Sequence, residues 1–74
     1  MLVLQDIISS NGEYLAILKW DGVINSNVGP GQVLVGRNNQ PSPWKVLTIT
    51  KTTCTLLYGD VQVTLSIGEG VQKG

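Results

Sequence analysis

The fifteen residues Thr53–Ile67 read TCTLLYGDVQVTLSI and contain two strand patterns joined by a two-residue turn. From Val61 onward, apolar and polar residues alternate, which is typical of a strand with one buried and one solvated face. The link Gly59-Asp60 predicts a tight hairpin, because glycine adopts a positive φ without steric cost. This stretch therefore predicts an antiparallel hairpin.

The same pattern continues toward the N-terminus. The segment Trp44–Thr50 predicts a strand that turns at Lys51-Thr52 into the hairpin, which makes a three-stranded meander. Asp21-Gly22 is the strongest hairpin signal of the chain. No window repeats apolar residues with helical spacing. Further strands are predicted at Leu2–Ser9, Glu13–Trp20, Val23–Asn27 and Gln32–Val35, with a sharp turn at Val28–Gly31 and a polar loop between Gly36 and Pro43.

This order of elements predicts an all-β domain, either a small sandwich or a partly open barrel. We expect one β domain over residues 1–67 and a flexible C-terminal tail over residues 68–74, where Gly68-Glu69-Gly70 begins a polar segment. A chain of 74 residues has no room for a second core. Because the chain begins almost inside its first strand, it is either a cytoplasmic protein that starts there or a domain of a longer parent. We favour the second, and composition alone does not decide between them.

Composition restricts the possible chemistry. The chain has no histidine and one cysteine, so an intramolecular disulfide is impossible and a zinc site is disfavoured. Five Lys and Arg residues balance five Asp and Glu residues and are scattered, whereas nucleic-acid binding usually needs a concentrated basic surface. We therefore expect no enzyme activity, no cofactor and no metal. The opening residues lack the pattern of a signal peptide.

Four side chains have residue types that could serve either packing or function. Cys54 is expected to be a small residue on a packed face, because free cysteines are among the most buried residues. Trp20 and Trp44 are expected in the core rather than on a base-stacking platform. Asp6 interrupts an apolar strand, so it either lies on the solvated face, or is an inward-pointing charge that protects an exposed strand edge, or forms a binding contact.

An exposed strand edge is the recognition device that the sequence offers, because unpaired N–H and C=O groups accept a partner strand. The short strands Leu4–Ser9 and Val23–Asn27 are the candidates for this edge. The predicted partner-binding residues are Leu4, Asp6, Ile8, Val23, Asn25 and Asn27.

The order of motifs resembles the periplasmic homology region of GspC-type type II secretion proteins and the related PilP domain of type IV pilus assembly. The family commonly has glycine where Asp6 stands, and Gln32 replaces its usual acid. The matching segments are Leu4–Ile8, Glu13–Leu18, Asp21-Gly22, Val28–Leu34, Trp44–Ile49 and Cys54–Leu65.

The resemblance implies a sandwich of two three-stranded antiparallel sheets. It also implies a non-catalytic periplasmic module that docks an inner-membrane pilus or secretion assembly onto the N-terminal periplasmic domain of the outer-membrane secretin. The domain would be attached to the bacterial inner membrane through a segment not present in this chain. Two other classes stay open: a small SH3-like or OB-like barrel that binds nucleic acid, and a structural piece of a phage or virion.

Overall fold

Two four-stranded antiparallel sheets pack against each other in a computed structural model that describes residues 1–72. The strands are β1 (Leu2–Ser10), β2 (Glu13–Trp20), β3 (Val23–Val28), β4 (Val33–Val35), β5 (Pro41–Ile49), β6 (Thr53–Tyr58), β7 (Val61–Ser66) and β8 (Gly70–Val71). Sheet A has the order β3-β2-β1-β8, and sheet B has the order β4-β5-β6-β7. The predicted all-β class and sandwich of two small antiparallel sheets are confirmed.

Each sheet has four strands instead of the three that the resemblance implied, because a short strand is added at one edge of each. Strand β4 pairs with β5 in sheet B, and β8 pairs with β1 in sheet A at Leu2 and Val3. The sequence predicts a tail over residues 68–74, whereas Gly70–Val71 of this segment form β8. The last two residues, Lys73 and Gly74, lie outside the described part of the chain.

Turn chemistry explains the hairpins. Asn11-Gly12 and Asp21-Gly22 have positive φ at both positions (52° and 81°, then 50° and 76°), which matches the twist of the flanking strands. In the third hairpin Gly59 has a φ of 61°. These three turns connect consecutive strands, so they fix the local order β1-β2-β3 and β6-β7.

The predicted loop between Gly36 and Pro43 is shorter than expected. A 3₁₀ turn occupies Arg37–Asn39, and Pro41–Pro43 already belong to β5. Both prolines precede Trp44, where the pairing of β5 with β6 begins, so the sheet needs no N–H donor toward β6 at their positions. Proline is therefore compatible with this end of the strand.

The core lies between the two sheets and is aliphatic except for two tryptophans and a cysteine. Sheet A contributes inward residues at alternate positions of β2, and sheet B does so from β5 and β6. Bulges in β1, β3 and β5 bend the strands so that the sheets close around this core. The buried apolar residues are Leu2, Leu4, Ala16, Leu18, Trp20, Val28, Leu34, Trp44, Val46, Cys54, Leu56 and Leu65.

Candidate functional site

The six predicted partner-binding residues lie on two different strands of sheet A. Leu4, Asp6 and Ile8 belong to β1, whereas Val23, Asn25 and Asn27 belong to β3. Strand β2 lies between β1 and β3, so the two groups do not share one edge. The two candidate strands therefore lie on different sides of β2, and one partner strand cannot pair with both of them.

Leu4 is a core residue. Its side chain is fully buried, and its backbone N–H donates to the carbonyl of Glu69 at 3.0 Å. Its carbonyl accepts the N–H of Gly68 at 2.8 Å. Because both backbone groups are already paired beside β8, Leu4 has neither a side chain nor an edge position to offer a partner.

Asp6 marks the point where the cover of β1 by the C-terminal segment ends. Gln5 is the extra residue of a bulge between Leu4 and Asp6, and Asp6 is exposed opposite Ile17. One carboxylate oxygen of Asp6 accepts the backbone N–H of Ile7 at 2.8 Å. Asp6 thus lies on the solvated face and is not the inward-pointing charge of the alternative interpretation, and its carboxylate occupies an edge donor.

Beyond Asp6, β1 is paired on one side only within residues 1–72. Strand β2 pairs with β1 as far as Ser10, whereas β8 pairs with β1 at Leu2 and Val3 only. Backbone groups alternate in direction along a strand, so the N–H of Ser9 points the same way as that of Ile7, away from β2. The segment Ile7–Ser10 is called the β1 edge below. Ile8 is half-buried there and lies opposite Leu15.

The β3 side of sheet A is joined to sheet B through Asn25. This side chain is 9% exposed; its Nδ2 donates to the carbonyl of Val35 at 3.0 Å, and its Oδ1 accepts the N–H of Val35 at 2.8 Å. We call this pair of bonds the amide bridge. The bridge uses the Asn25 side chain for internal structure, although the sequence analysis predicted it to be a partner-binding residue.

The other two predicted residues of β3 flank the bridge. Val23 is half-buried and pairs with Trp20 next to the turn, and Asn27 is exposed with a φ of 55°. Asn27 lies in the bulged part of β3, where three residue steps oppose two on β2. Asparagine tolerates this left-handed conformation better than most residues, so its position has a backbone reason.

Strand β7 forms a second open edge that sequence reasoning did not single out. It pairs with β6 along its whole length and ends sheet B on its other side. Because β3 contacts β4 and β1 contacts β7, the β1 edge and β7 lie on the same side of the sandwich. Alternation in Val61–Ile67 predicted the strand well, but the order of strands in a sheet has no local signal.

The remaining candidates for chemistry are in the core. Trp20 and Trp44 are 8% and 0% exposed, which confirms their predicted packing role and leaves neither as a stacking platform. Cys54 is fully buried, as predicted, and burial raises the pKa of its thiol from 9.0 to about 11. Within residues 1–72, no three His, Cys, Asp or Glu side chains are grouped to hold a metal ion.

The Cys54 thiol predicts a loss of stability at alkaline pH. The unfolded chain ionises the thiol near pH 9, whereas the folded protein holds the proton to about pH 11, so between these values the unfolded state binds fewer protons. We expect the free energy of unfolding to decrease across this window. Urea titrations at pH 8 and pH 10 measure the decrease in unfolding free energy. The same decrease measured for Cys54→Ala gives the contribution of all other titrating groups. An equal decrease for the two proteins would contradict the prediction.

No helix in the described residues is long and apolar enough to cross a membrane. Comparisons of the chain with models of protein families, with curated proteins and with solved structures find no match.

Proposed function

We propose that this domain is a non-catalytic protein–protein interaction module that takes up a partner strand at the β1 edge. The partner we propose is the N-terminal periplasmic domain of a secretin, with the domain in the periplasm as part of a type IV pilus or type II secretion machine. The observation that carries the docking role is the one-sided pairing of β1 after Asp6. The identity of the partner rests on the resemblance of the sequence motifs.

The geometry of the β1 edge suits β-augmentation. A strand added there would continue the sheet beyond the short β8, and its backbone would meet the donors of Ile7 and Ser9. Main-chain bonds would supply affinity, and side chains at alternate positions would supply specificity. Ile8 would contribute an apolar contact on the outer face of the sheet.

Asp6 gives this edge a means of discrimination. Its carboxylate holds the Ile7 N–H in the free domain, so a docking strand must displace it or begin after it. A charge at an exposed edge disfavours unspecific pairing with other strands. A partner with a cation at the facing position would compensate the carboxylate and be preferred over one without it.

The β3 side is the weaker candidate for docking because the amide bridge already joins it to β4. The nucleic-acid alternative depended on exposed aromatic rings, and both tryptophans are buried. The β1 edge and β7 therefore remain as the docking candidates, and a single experiment distinguishes them.

The test is an NMR titration of the labelled domain with N-terminal periplasmic domains of candidate secretins. We expect chemical-shift changes concentrated on Ile7–Ser10, with smaller changes at Asp6. Ser9→Pro removes an edge donor without removing a bond to β2. We expect it to weaken binding by about tenfold, because one hydrogen bond to the partner is lost and its acceptor on the partner strand is left unpaired.

The matched control is Gln62→Pro on β7. Val61 pairs with Tyr58 across the two-residue turn, so the alternation directs the N–H of Gln62 toward the open side of sheet B. We expect Gln62→Pro to bind as the unchanged domain does. The opposite ranking of the two folded variants would move the docking site to β7, and a lack of shifts with any secretin would remove the secretin from the proposal.

A further inference from the structure

The outer face of sheet A has an ordered pattern along β2, a strand that docking at the β1 edge does not use. On β2 the inward residues are Ala16, Leu18 and Trp20, all buried. The alternate positions Glu13, Leu15, Ile17 and Lys19 therefore point outward. The outward row begins with an acid, continues with two aliphatic residues and ends with a base.

Aliphatic side chains of the neighbouring strands widen this row, and the exposed Asp6 of β1 lies beside it, opposite Ile17. Ile8 of β1 lies opposite Leu15, and Ile24 of β3 lies opposite Lys19 and is 56% exposed. The two sheets account for all eight strands of residues 1–72, so no further strand of this part of the chain is left to cover the face. We call Ile8, Leu15, Ile17 and Ile24 with the flanking Glu13 and Lys19 the outer A face.

We propose that the outer A face is the contact surface of a symmetric homodimer, in which β2 of one copy crosses β2 of the second in the antiparallel sense. A two-fold axis between the stacked sheets, running across the strands at the level of Ala16, places Leu15 over Ile17 of the second copy. The same rotation places Glu13 of each copy over Lys19 of the other copy, so the interface contains two such charge pairs. The surface is thus complementary to itself, as an isologous interface requires.

The charges select this orientation. A two-fold axis along β2 would instead stack Glu13 on Glu13 and Lys19 on Lys19, and like charges in register oppose association. The two ends of the row are six residues or ~20 Å apart, so each pair lies beyond the Debye length of the other at physiological salt. The acid–base polarity of β2 is therefore the feature that points to a second copy as occupant.

The dimer should be weak. Three strands at ~4.8 Å spacing and a row of ~20 Å give a contact well below the ~800 Å² per partner of a standard stable interface. Self-association would require high local concentration, such as that of several copies held in one assembly. Face-to-face stacking leaves the backbone N–H and C=O groups of the β1 edge free for docking, and Ile8 is the one side chain that both contacts would share.

The test is sedimentation equilibrium of the whole chain from 10 µM to 2 mM at low ionic strength (concentrations of the order needed for a weak dimer, about 10⁻⁴ M). We expect concentration-dependent dimers for the unchanged protein and monomers for Ile17→Lys, which places a charge against Leu15 of the second copy. A protein that stays monomeric throughout the range would overturn the proposal and assign the face to a different occupant.

Charge exchange tests the antiparallel orientation itself. Glu13→Lys and Lys19→Glu each convert two attractive contacts into two repulsive ones, so each should weaken the dimer by about tenfold. The double variant restores both pairs and should dimerise as the unchanged protein does. Lys45→Glu, a charge reversal at an exposed position of β5 in sheet B, is the matched control and should have no effect. A double variant no stronger than the single variants would overturn the proposed geometry.

Discussion

Replacing Trp44 with alanine should cost about 3–5 kcal/mol of unfolding free energy, the range measured for truncating large aromatic residues in a core. The ring is fully buried on β5 and makes an edge contact with Trp20 of sheet A at a centroid distance of 6.4 Å. It also packs against Tyr58 at 4.9 Å. Its removal would open a cavity at the junction of the two sheets.

The expected loss is a large fraction of the stability of the protein. A chain of 74 residues has a stability of about 4–11 kcal/mol. We therefore expect Trp44→Ala to be largely unfolded or to unfold at low urea concentration, measured by far-UV circular dichroism across a urea titration. A variant with an unchanged midpoint would contradict the role of this ring as the contact between sheets.

Trp44→Phe is the informative comparison for this position. Among the described residues the buried Nε1–H of Trp44 has no hydrogen-bond partner, and an unsatisfied buried donor costs about 1–3 kcal/mol. Phenylalanine keeps an aromatic ring and removes the donor, so the relief offsets part of the lost packing. We expect a loss of less than half that of alanine. Equal losses for the two variants would show that the orphan donor has no energetic effect.

The second large effect is expected at Asn25. Asn25→Ala should lower the unfolding free energy by about 2–3 kcal/mol, because the N–H and C=O of Val35 both lose their partner. Asn25→Leu is expected to lose a similar amount, since it restores volume without restoring either bond. Both are measured from urea unfolding curves at neutral pH.

Ser26→Ala is the matched control for the amide bridge. Ser26 is the next residue of β3 and is exposed, so its truncation should change stability by less than ~0.5 kcal/mol. If Asn25→Leu were as stable as the unchanged protein, packing rather than the hydrogen bonds would account for the burial of Asn25. The bridge would then have no role in holding β3 against β4.

The sequence by itself determined the local structure of this protein. Alternating patterns located the long strands, and Asp21-Gly22 and Gly59-Asp60 located two of the turns, because side-chain direction and allowed φ depend on residues next to each other. Burial of Trp20, Trp44 and Cys54 also followed from residue type. These features need no knowledge of distant parts of the chain.

Only the tertiary structure decided which edges stay open and what the polar residues on them do. Strand β8 covers the start of β1 although the two are separated by almost the whole chain, and Asn25 bonds to Val35 across the two sheets. A glycine-rich segment has no alternation to predict β8, and an asparagine in a strand looks the same whether it faces a partner or a neighbouring backbone. Strand order and side-chain bridges depend on contacts between distant residues, so local sequence patterns do not specify them.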